Sequence, residues 1–507
     1  MSWKPEVEEL RRRRKLAEQM GGAEKVARQH SRGKLDARAR IKGLVDPGSF
    51  REIGKIAGKG SYGPDGELLD LAPSNLVFGR ANIEGRPVVA SADDFTVRGG
   101  AADAAIHRKF VQCEQMAHTL KLPLIRMIDG TGGGGSVKTL EEIGATYVPA
   151  TPGWGEIVKN LETVPVVALA LGPTAGLGAA RVVASHYSIM VKGLSQLFAA
   201  GPAVVEAIGE ASDKESLGGS VIHTRNGVVD EEVASEAEAF ATARRFLSYL
   251  PSHVGQHAPR LAPSDPVDRR EQSLVDLVPR DPKQVYSMRK LLGAVFDQGS
   301  VFEMGRMWGR AAITAFARLD GWPVAVVASD PSYLGGSWEA RTSEKVERFI
   351  KLADQFRLPV VHLVDNPGFM IGYAAESAGT IRYGVQAMNA IYKATVPLCC
   401  VVIRRAYGIA GSAMSNAEAF QYRFAWPSGD WGSLPIEGGI EVAYKSEIEA
   451  AEDPQAHLEA IRERLNRVRS PFRTAEKFGI EDIIDPRETR PLLCEFADLA
   501  WRALGAA

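Results

Sequence analysis

The chain has 507 residues, 61 Lys and Arg against 62 Asp and Glu, and a net charge of −1; 45% of it is hydrophobic and 24% charged. That balance is ordinary for a globular protein and gives no electrostatic reason to expect nucleic acid or an acidic membrane as partner. No apolar run reaches the roughly 18 residues that a transmembrane helix needs, and Cys113, Cys399, Cys400 and Cys494 form no CxxC, which argues against zinc or a disulfide framework and fits a reducing cytoplasm.

In chain order, residues 1–45 read as helices with a break near Ser31-Arg32-Gly33. The start is charged and lacks the apolar core of a secretory signal. The basic run Arg11 to Lys15 sits among Glu6, Glu8, Glu9 and Glu18 at spacings that suit i,i+4 pairs, so it reads as a solvated helical face. Val88–Ala92, Leu124–Ile128 and Val164–Leu171 are short, mostly apolar segments that read as buried strands. Ala102–Leu120 lies between the first two, and its Ile106, Phe110, Cys113 and Ala117 repeat at helical spacing. The order is βαβ. A polar, proline-rich stretch from Leu250 to Pro282 has the composition of a linker. Beyond it, strands are expected near 324–328, 360–364 and 396–403, with a helix from Ser343 to Phe356. Asp453 to Val468 reads as a helix capped by Asp453 with Pro454 in its first turn, followed by an extended tail.

The two halves repeat one another. Gly85-Arg86-Pro87-Val88 returns as Gly321-Trp322-Pro323-Val324, Gly99-Gly100 as Gly335-Gly336, and Leu122 to Asp129 as Leu358 to Asp365, all at an offset of 236 residues (321 − 85). Asp46-Pro47-Gly48-Ser49 answers Asp297-Gln298-Gly299-Ser300 at 251 (297 − 46), and Thr163-Val164-Pro165 answers Thr395-Val396-Pro397 at 232 (395 − 163). The expectation is two copies of one α/β fold, over 1–255 and 265–507.

Each half also has a strand that runs into glycine. In the first, Leu169-Ala170-Leu171 leads to Gly172-Pro173-Thr174-Ala175-Gly176-Leu177-Gly178; in the second, Val401-Val402-Ile403 leads to Arg404-Arg405-Ala406-Tyr407-Gly408-Ile409-Ala410-Gly411. Small residues at such a place leave backbone N–H groups uncovered, able to hold an oxygen that becomes negative. The preceding strand ends in Asp129 and then the glycine run 130–135, or in Asp365-Asn366-Pro367-Gly368-Phe369. The run lacks the Gly-Lys-Ser/Thr ending of a phosphate loop, and Gly132, Gly133 and Gly134 read as the rim of a ligand groove. Asp129 and Asp365 are expected to satisfy turn amides. Paired carboxylates, a G-x-S-x-G elbow and H-E-x-x-H are absent, and no metal site is expected. Chemistry here would lean on backbone dipoles and on a ligand that brings its own reactive group.

These residues resemble the carboxyltransferase (β) subunits of biotin-dependent acyl-CoA carboxylases such as propionyl-CoA carboxylase, from about Gly33 to Phe496. Gly33-Lys34-Leu35 with Ala37-Arg38-Ala39-Arg40-Ile41, Asp94-Phe95-Thr96-Val97, Gly172 to Gly176, Leu217-Gly218-Gly219, Asp365 to Phe369, Arg405 to Gly408, Ala425-Trp426-Pro427 and Glu481 to Arg487 carry the likeness. The resemblance implies two tandem crotonase-like (ClpP/crotonase) domains from an internal duplication, a ring-shaped hexamer, and an active site between the N-half of one subunit and the C-half of another. It implies transfer of CO2 from carboxybiotin to the α-carbon of an acyl-CoA through an enolate. The acyl-CoA belongs to the N-half and the biotin, carried by a partner with its biotin carboxylase, to the C-half.

On that resemblance, Gly176, Leu177 and Gly178 would stabilise the enolate, and Gly408, Ile409 and Ala410 would polarise the biotin urea oxygen. Ala175, Tyr407, Gly411 and Ser412 would touch substrate, and Pro367, Gly368 and Phe369 the cofactor. The chain departs from the propionyl-type pattern at Leu177, at Gly411 in place of Tyr and at Ser412 in place of Asp; the last two changes are expected to open the acyl pocket. A decarboxylase or transcarboxylase component, and a non-catalytic assembly subunit, remain alternatives. A crotonase-type hydratase would need carboxylates at the glycine turns, where none is evident.

Overall fold

A computed structural model describes residues 2–506 except 101–105, 131–139, 142, 143, 149, 211, 212 and 264, and all described side chains but that of Glu437. The expected rim glycines Gly132, Gly133 and Gly134 lie outside the described residues. The chain forms two compact units, Met1–Gln256 and His257–Ala507.

The first unit is built on β1 (Arg51–Ile53), β4 (Leu76–Ile83), β5 (Arg86–Asp93), β6 (Leu124–Gly130), β7 (Val166–Ala175), β8 (Tyr187–Val191) and β10 (Glu231–Val233), hydrogen-bonded in that order, with β9 (Gln196–Phe198) beside β7. A separate hairpin pairs β2 (Gly58–Tyr62) with β3 (Leu68–Pro73). The second unit orders β11 (Phe302–Met304), β12 (Ala312–Leu319), β13 (Trp322–Ser329), β14 (Val360–Asn366), β15 (Leu398–Tyr407), β16 (Tyr422–Ala425) and β18 (Asp482–Ile483) in the same way, with β17 (Asp430–Gly432) beside β15. Ladder for ladder, antiparallel and parallel pairings coincide. Even the register repeats: Val89 faces Leu124 as Ala325 faces Val360.

The sequence repeat has a physical cause at several points. Asp46 accepts the Glu84 and Gly85 N–H groups at 2.8 Å each, and Asp297 accepts those of Asp320 and Gly321 at 3.2 and 2.8 Å. Both hairpins turn through two residues with positive φ, 52° and 78° in one and 51° and 77° in the other, the backbone a two-residue hairpin loop needs. From Val166 to Leu171 every side chain is fully buried, because helices cover both faces of a parallel sheet.

Several elements differ from expectation. β7 and β15 do not end at Leu171 and Ile403; they run on to Ala175 and Tyr407, because β9 and β17 pair with their last residues. The helix before β14 begins at Ala340, and that before β6 is described over His107–Leu120. Asp453 does cap its helix, accepting the N–H groups of Gln455 and Ala456. The expected linker is irregular yet packed: the Leu261 N–H donates to the Gly321 carbonyl, and Arg490 donates to the carbonyls of Asp265 and Pro266. The expected extended tail is instead a helix, Thr489–Ala503, whose Leu493, Phe496, Ala497, Ala500 and Trp501 bury one face. The basic run at Arg11 to Lys15 is a helical face, with Arg12 and Arg13 paired to Glu9.

At one pair of equivalent core positions the halves diverge. Arg126, fully buried on β6, makes two 2.8 Å hydrogen bonds to Glu114. His362 stands at the same place on β14 and donates from Nδ1 to the Met414 carbonyl at 2.9 Å. Burial pulls its pKa down to about 4. An unfolded chain takes up this proton near pH 6.5, whereas the folded one resists until about 4. Stability from this group is therefore full above about pH 6.5 and falls as the pH drops toward 4, by up to about 3 kcal/mol. His362→Gln should flatten the fall in unfolding free energy across that window, read from urea melts at successive pH values.

Candidate active site

The site begins where β6 and β7, and likewise β14 and β15, lose their common register. Ile128 faces Ala170 but Gly130 faces Thr174; Val364 faces Val402 but Asn366 faces Ala406. In each unit the irregularity falls on the aspartate, Asp129 or Asp365, and such a bulge re-aims a side chain. Neither aspartate serves mainly turn amides as expected. Both are fully buried acids gripping two cations.

In the first unit Lys34 reaches Asp129 Oδ1 at 2.7 Å and Arg40 reaches Oδ2 at 2.8 Å. Arg40 also donates to Glu236 at 2.8 Å and to the Leu171 carbonyl at 2.7 Å. The four charges cancel. Burial, opposed by Asp129, lowers the Lys34 pKa. In the second unit Arg404 donates to Asp365 Oδ2 at 3.0 Å and Arg405 to Oδ1 at 2.6 Å, so this cluster has one positive charge in excess. The Arg405 N–H also reaches Oδ1 at 3.2 Å, and its guanidinium reaches the Gly335 carbonyl at 2.7 Å.

Gly172 and Arg404 are equivalent at the 232-residue offset (404 − 172), which explains how the two clusters differ. A Cβ on Gly172 would lie 2.2 Å from Asp129 Oδ1 and 2.5 Å from Lys34 Nζ. The missing side chain makes room for cations brought from the N-terminal segment; in the second unit residue 404 supplies the cation itself.

Four residues further (176 − 172, 408 − 404) the chain reverses. Gly176 (φ 59°, ψ −122°) precedes the short helix Leu177–Val183, and Gly408 (φ 62°) opens the helix Gly408–Ser412. Glycine alone holds the Gly176 backbone without strain. The Gly176 N–H donates to the Phe198 carbonyl at 3.1 Å and is spent. The N–H groups of Leu177 and Gly178, like those of Gly408, Ile409 and Ala410, have no backbone acceptor among the described residues, as first-turn amides do. Gly176 is exposed, Ala175 and Leu177 half-buried and Gly178 buried.

Around the first turn a small cavity of about 80 Å³ is lined by Leu177, Arg181, Asp93 and Phe110 among others. Arg181 pairs with Asp93 at 3.1 Å, and burial pushes the Asp93 carboxyl up against that pull. Around the second, a cavity of about 480 Å³ is lined by Gly408, Ile409, Ser412, Met414, Trp431 and Ile480 among others. Ser412 is exposed and donates to the Ile409 carbonyl at 2.8 Å. Gly411 lines the same cavity, and a Cβ there would sit 2.6 Å from the Ala406 carbonyl carbon. Tyr407 is buried, and burial pushes its hydroxyl pKa up. Pro367, Gly368 and Phe369 form the turn after β14, where Gly368 donates to the Asn366 side chain at 2.9 Å and Phe369 lies against Trp338 and Gly384. The residues that sequence reasoning did not assign to the site are Lys34, Arg40, Glu236, Arg181 and Asp93; Lys34 and Arg40 lie in the Gly33–Ile41 stretch that carries the family likeness, and glycine at 172 opposite arginine at 404 is a further signal for Lys34.

Two tandem crotonase-like α/β domains with matched glycine turns define the class, and comparison places the chain within it. It belongs to the carboxyl transferase domain family, whose model matches residues 28–505. It is 32% identical to the carboxyltransferase subunit of propionyl-CoA carboxylase from Haloferax mediterranei, over 98% of this chain and 96% of that one. It is 33% identical to the methylmalonyl-CoA carboxyltransferase 12S subunit of Propionibacterium freudenreichii subsp. shermanii, over 96% and 92%. A transcarboxylase 12S crystal structure, a hexamer with methylmalonyl-coenzyme A and methylmalonic acid bound, superposes with a TM-score of 0.88 at 32% identity, covering 99% of this chain and 96% of that one.

Gly172→Ala should cost about 1–3 kcal/mol, since neither locked partner can retreat. Gly201→Ala, where a Cβ meets nothing within 4 Å, should cost far less; equal unfolding midpoints for the two would contradict the packing described.

Proposed function

We propose that this chain is the carboxyltransferase component of a biotin-dependent acyl-CoA carboxylase. The observation that carries the reading is the pair of equivalent turns, each presenting amides without backbone acceptors, in a chain whose relatives are named for carboxyl transfer. At the first turn, the Leu177 and Gly178 amides hold the thioester oxygen of an acyl-CoA as its α-carbon gives up a proton. At the second, the Gly408, Ile409 and Ala410 amides receive the urea oxygen of biotin, and the surplus positive charge at Arg404 and Arg405 favours an anionic carboxyl nearby. Biotin, held by a partner protein, supplies the CO2 and, once that has left, a basic nitrogen. This chain's part is to orient both oxygens and to hold charge as it develops, which in other enzymes is worth roughly 10²–10³ in rate per donor.

The 480 Å³ cavity beside Ser412 supports an acyl group larger than propionyl. A hexamer is part of the same proposal, supported by the transcarboxylase assembly. So are a biotin carboxylase and carrier partner and a cytoplasmic location, the latter supported by four free, buried cysteines. Among the described residues no helix is long and apolar enough to cross a membrane. The likeness to the 12S subunit favours one second reading, a transcarboxylase component that works without ATP.

Purified protein, a panel of malonyl-, methylmalonyl- and longer α-carboxyacyl-CoAs, and free biotin test the proposal without ATP. Carboxyl transfer to biotin is expected, fastest for a thioester longer than methylmalonyl. Gly408→Pro should lower it by at least about 10²-fold while CoA affinity holds. Binding of CoA and partner with no transfer from any thioester would mean a non-catalytic assembly subunit.

A further inference from the structure

Equivalent strand positions carry unlike side chains that reach equivalent targets. Arg126 on β6 and His362 on β14 are 236 residues apart (362 − 126), the offset of the repeat. Arg126 donates from Nη1 to the carbonyls of Ala184, at 2.6 Å, and Arg181, at 3.4 Å. These lie at the cap and in the last turn of the helix Leu177–Val183. His362 donates to the carbonyl of Met414, just past the helix Gly408–Ser412. In each half, then, a buried donor on a central strand holds the tail of the helix whose first amides lie at the glycine turn. The held residues also line the turn's own cavity, Arg181 in the first unit and Met414 in the second.

These helices have seven and five residues, too few to be stable alone. At about 1.5 Å per residue, head and tail are no more than about 10 Å apart, so a displacement at one end is carried to the other. The last carbonyls of a helix lack partners within it, and the donors supply one. In the first unit the donor is itself fixed. The two remaining guanidinium nitrogens bind Glu114 at 2.8 Å each, and Asn160 donates to the Glu114 side chain at 2.8 Å and to its carbonyl at 3.0 Å. Stability alone does not call for such a pair, since buried ion pairs are often no better than apolar residues of the same volume.

We propose that Arg126 and His362 are positioning residues for carboxyl transfer, each fixing the place of the amide-bearing turn in its own unit. This rests on the carboxyltransferase reading. An amide that must meet an oxygen as it turns negative works only if it is already in place, and a misplacement of about 1 Å can cost about 10²-fold in rate. Both side chains are buried and act through the helix.

Transfer from methylmalonyl-CoA to free biotin by the full-length protein, with each substrate varied, and calorimetric titration with CoA test this. Arg126→Leu/Glu114→Leu removes the anchor without leaving a buried charge. It should lower kcat by about 10–100-fold with CoA affinity unchanged. A folded double variant with wild-type kcat overturns the proposal. Should it fail to fold, the second unit decides. His362→Leu should lose kcat to the same extent, whereas His362→Gln, whose amide can still donate to the Met414 carbonyl, should recover most of it. Equal losses in those two variants would mean packing alone and overturn the proposal. If wild type moves no carboxyl from methylmalonyl-CoA or longer thioesters, the transfer reading fails. The anchors then stand or fall on hydrogen exchange, which should quicken at least about tenfold over 177–184 in the double variant.

Discussion

A buried aspartate at the end of a central strand is the constraint on which each half depends. Asp129 and Asp365 are fully buried at the point where two parallel strands slip register. An unpaired carboxylate there would carry a heavy desolvation cost. Each is compensated by two cations, and those cations tie together segments far apart in sequence. Arg40 joins Asp129, Glu236 and the Leu171 carbonyl; Arg405 joins Asp365 and the Gly335 carbonyl. The reversing glycines follow a few residues later, on a strand end fixed by that network.

Duplication preserved the scaffold and let the charges drift. Ladders, bulges and hairpin caps coincide, while the electrostatics do not. The Arg126–Glu114 pair becomes a neutral histidine in the second half, and a balanced four-charge cluster becomes one with a positive surplus. The first half adds a cationic pocket at Arg28 and Arg32; the second adds a large, mostly apolar cavity beside Ser412.

The duplicated strands were legible because parallel strands buried on both faces must be continuous runs of Val, Ile, Leu and Ala. The turns were legible because glycine recurs at equivalent positions. The partners of Asp129 were not, because Lys34 and Arg40 lie 95 and 89 residues away and nothing local marks them as buried. The aspartates therefore read as turn residues. Strand ends were drawn short because the pairing of β9 and β17 is a tertiary event. The last helix was missed although Leu493, Ala497, Ala500 and Trp501 have helical spacing, because the polar, proline-containing stretch before it dominates the local signal.

Hydrogen exchange followed by mass spectrometry on Asp365→Asn tests the central claim most directly. With one charge of the cluster removed, amides of 404–414 should exchange at least about tenfold faster, while the β12–β13 hairpin and the whole first unit keep wild-type rates. Unchanged exchange across 404–414 would contradict the view that the buried aspartate holds the turn in place.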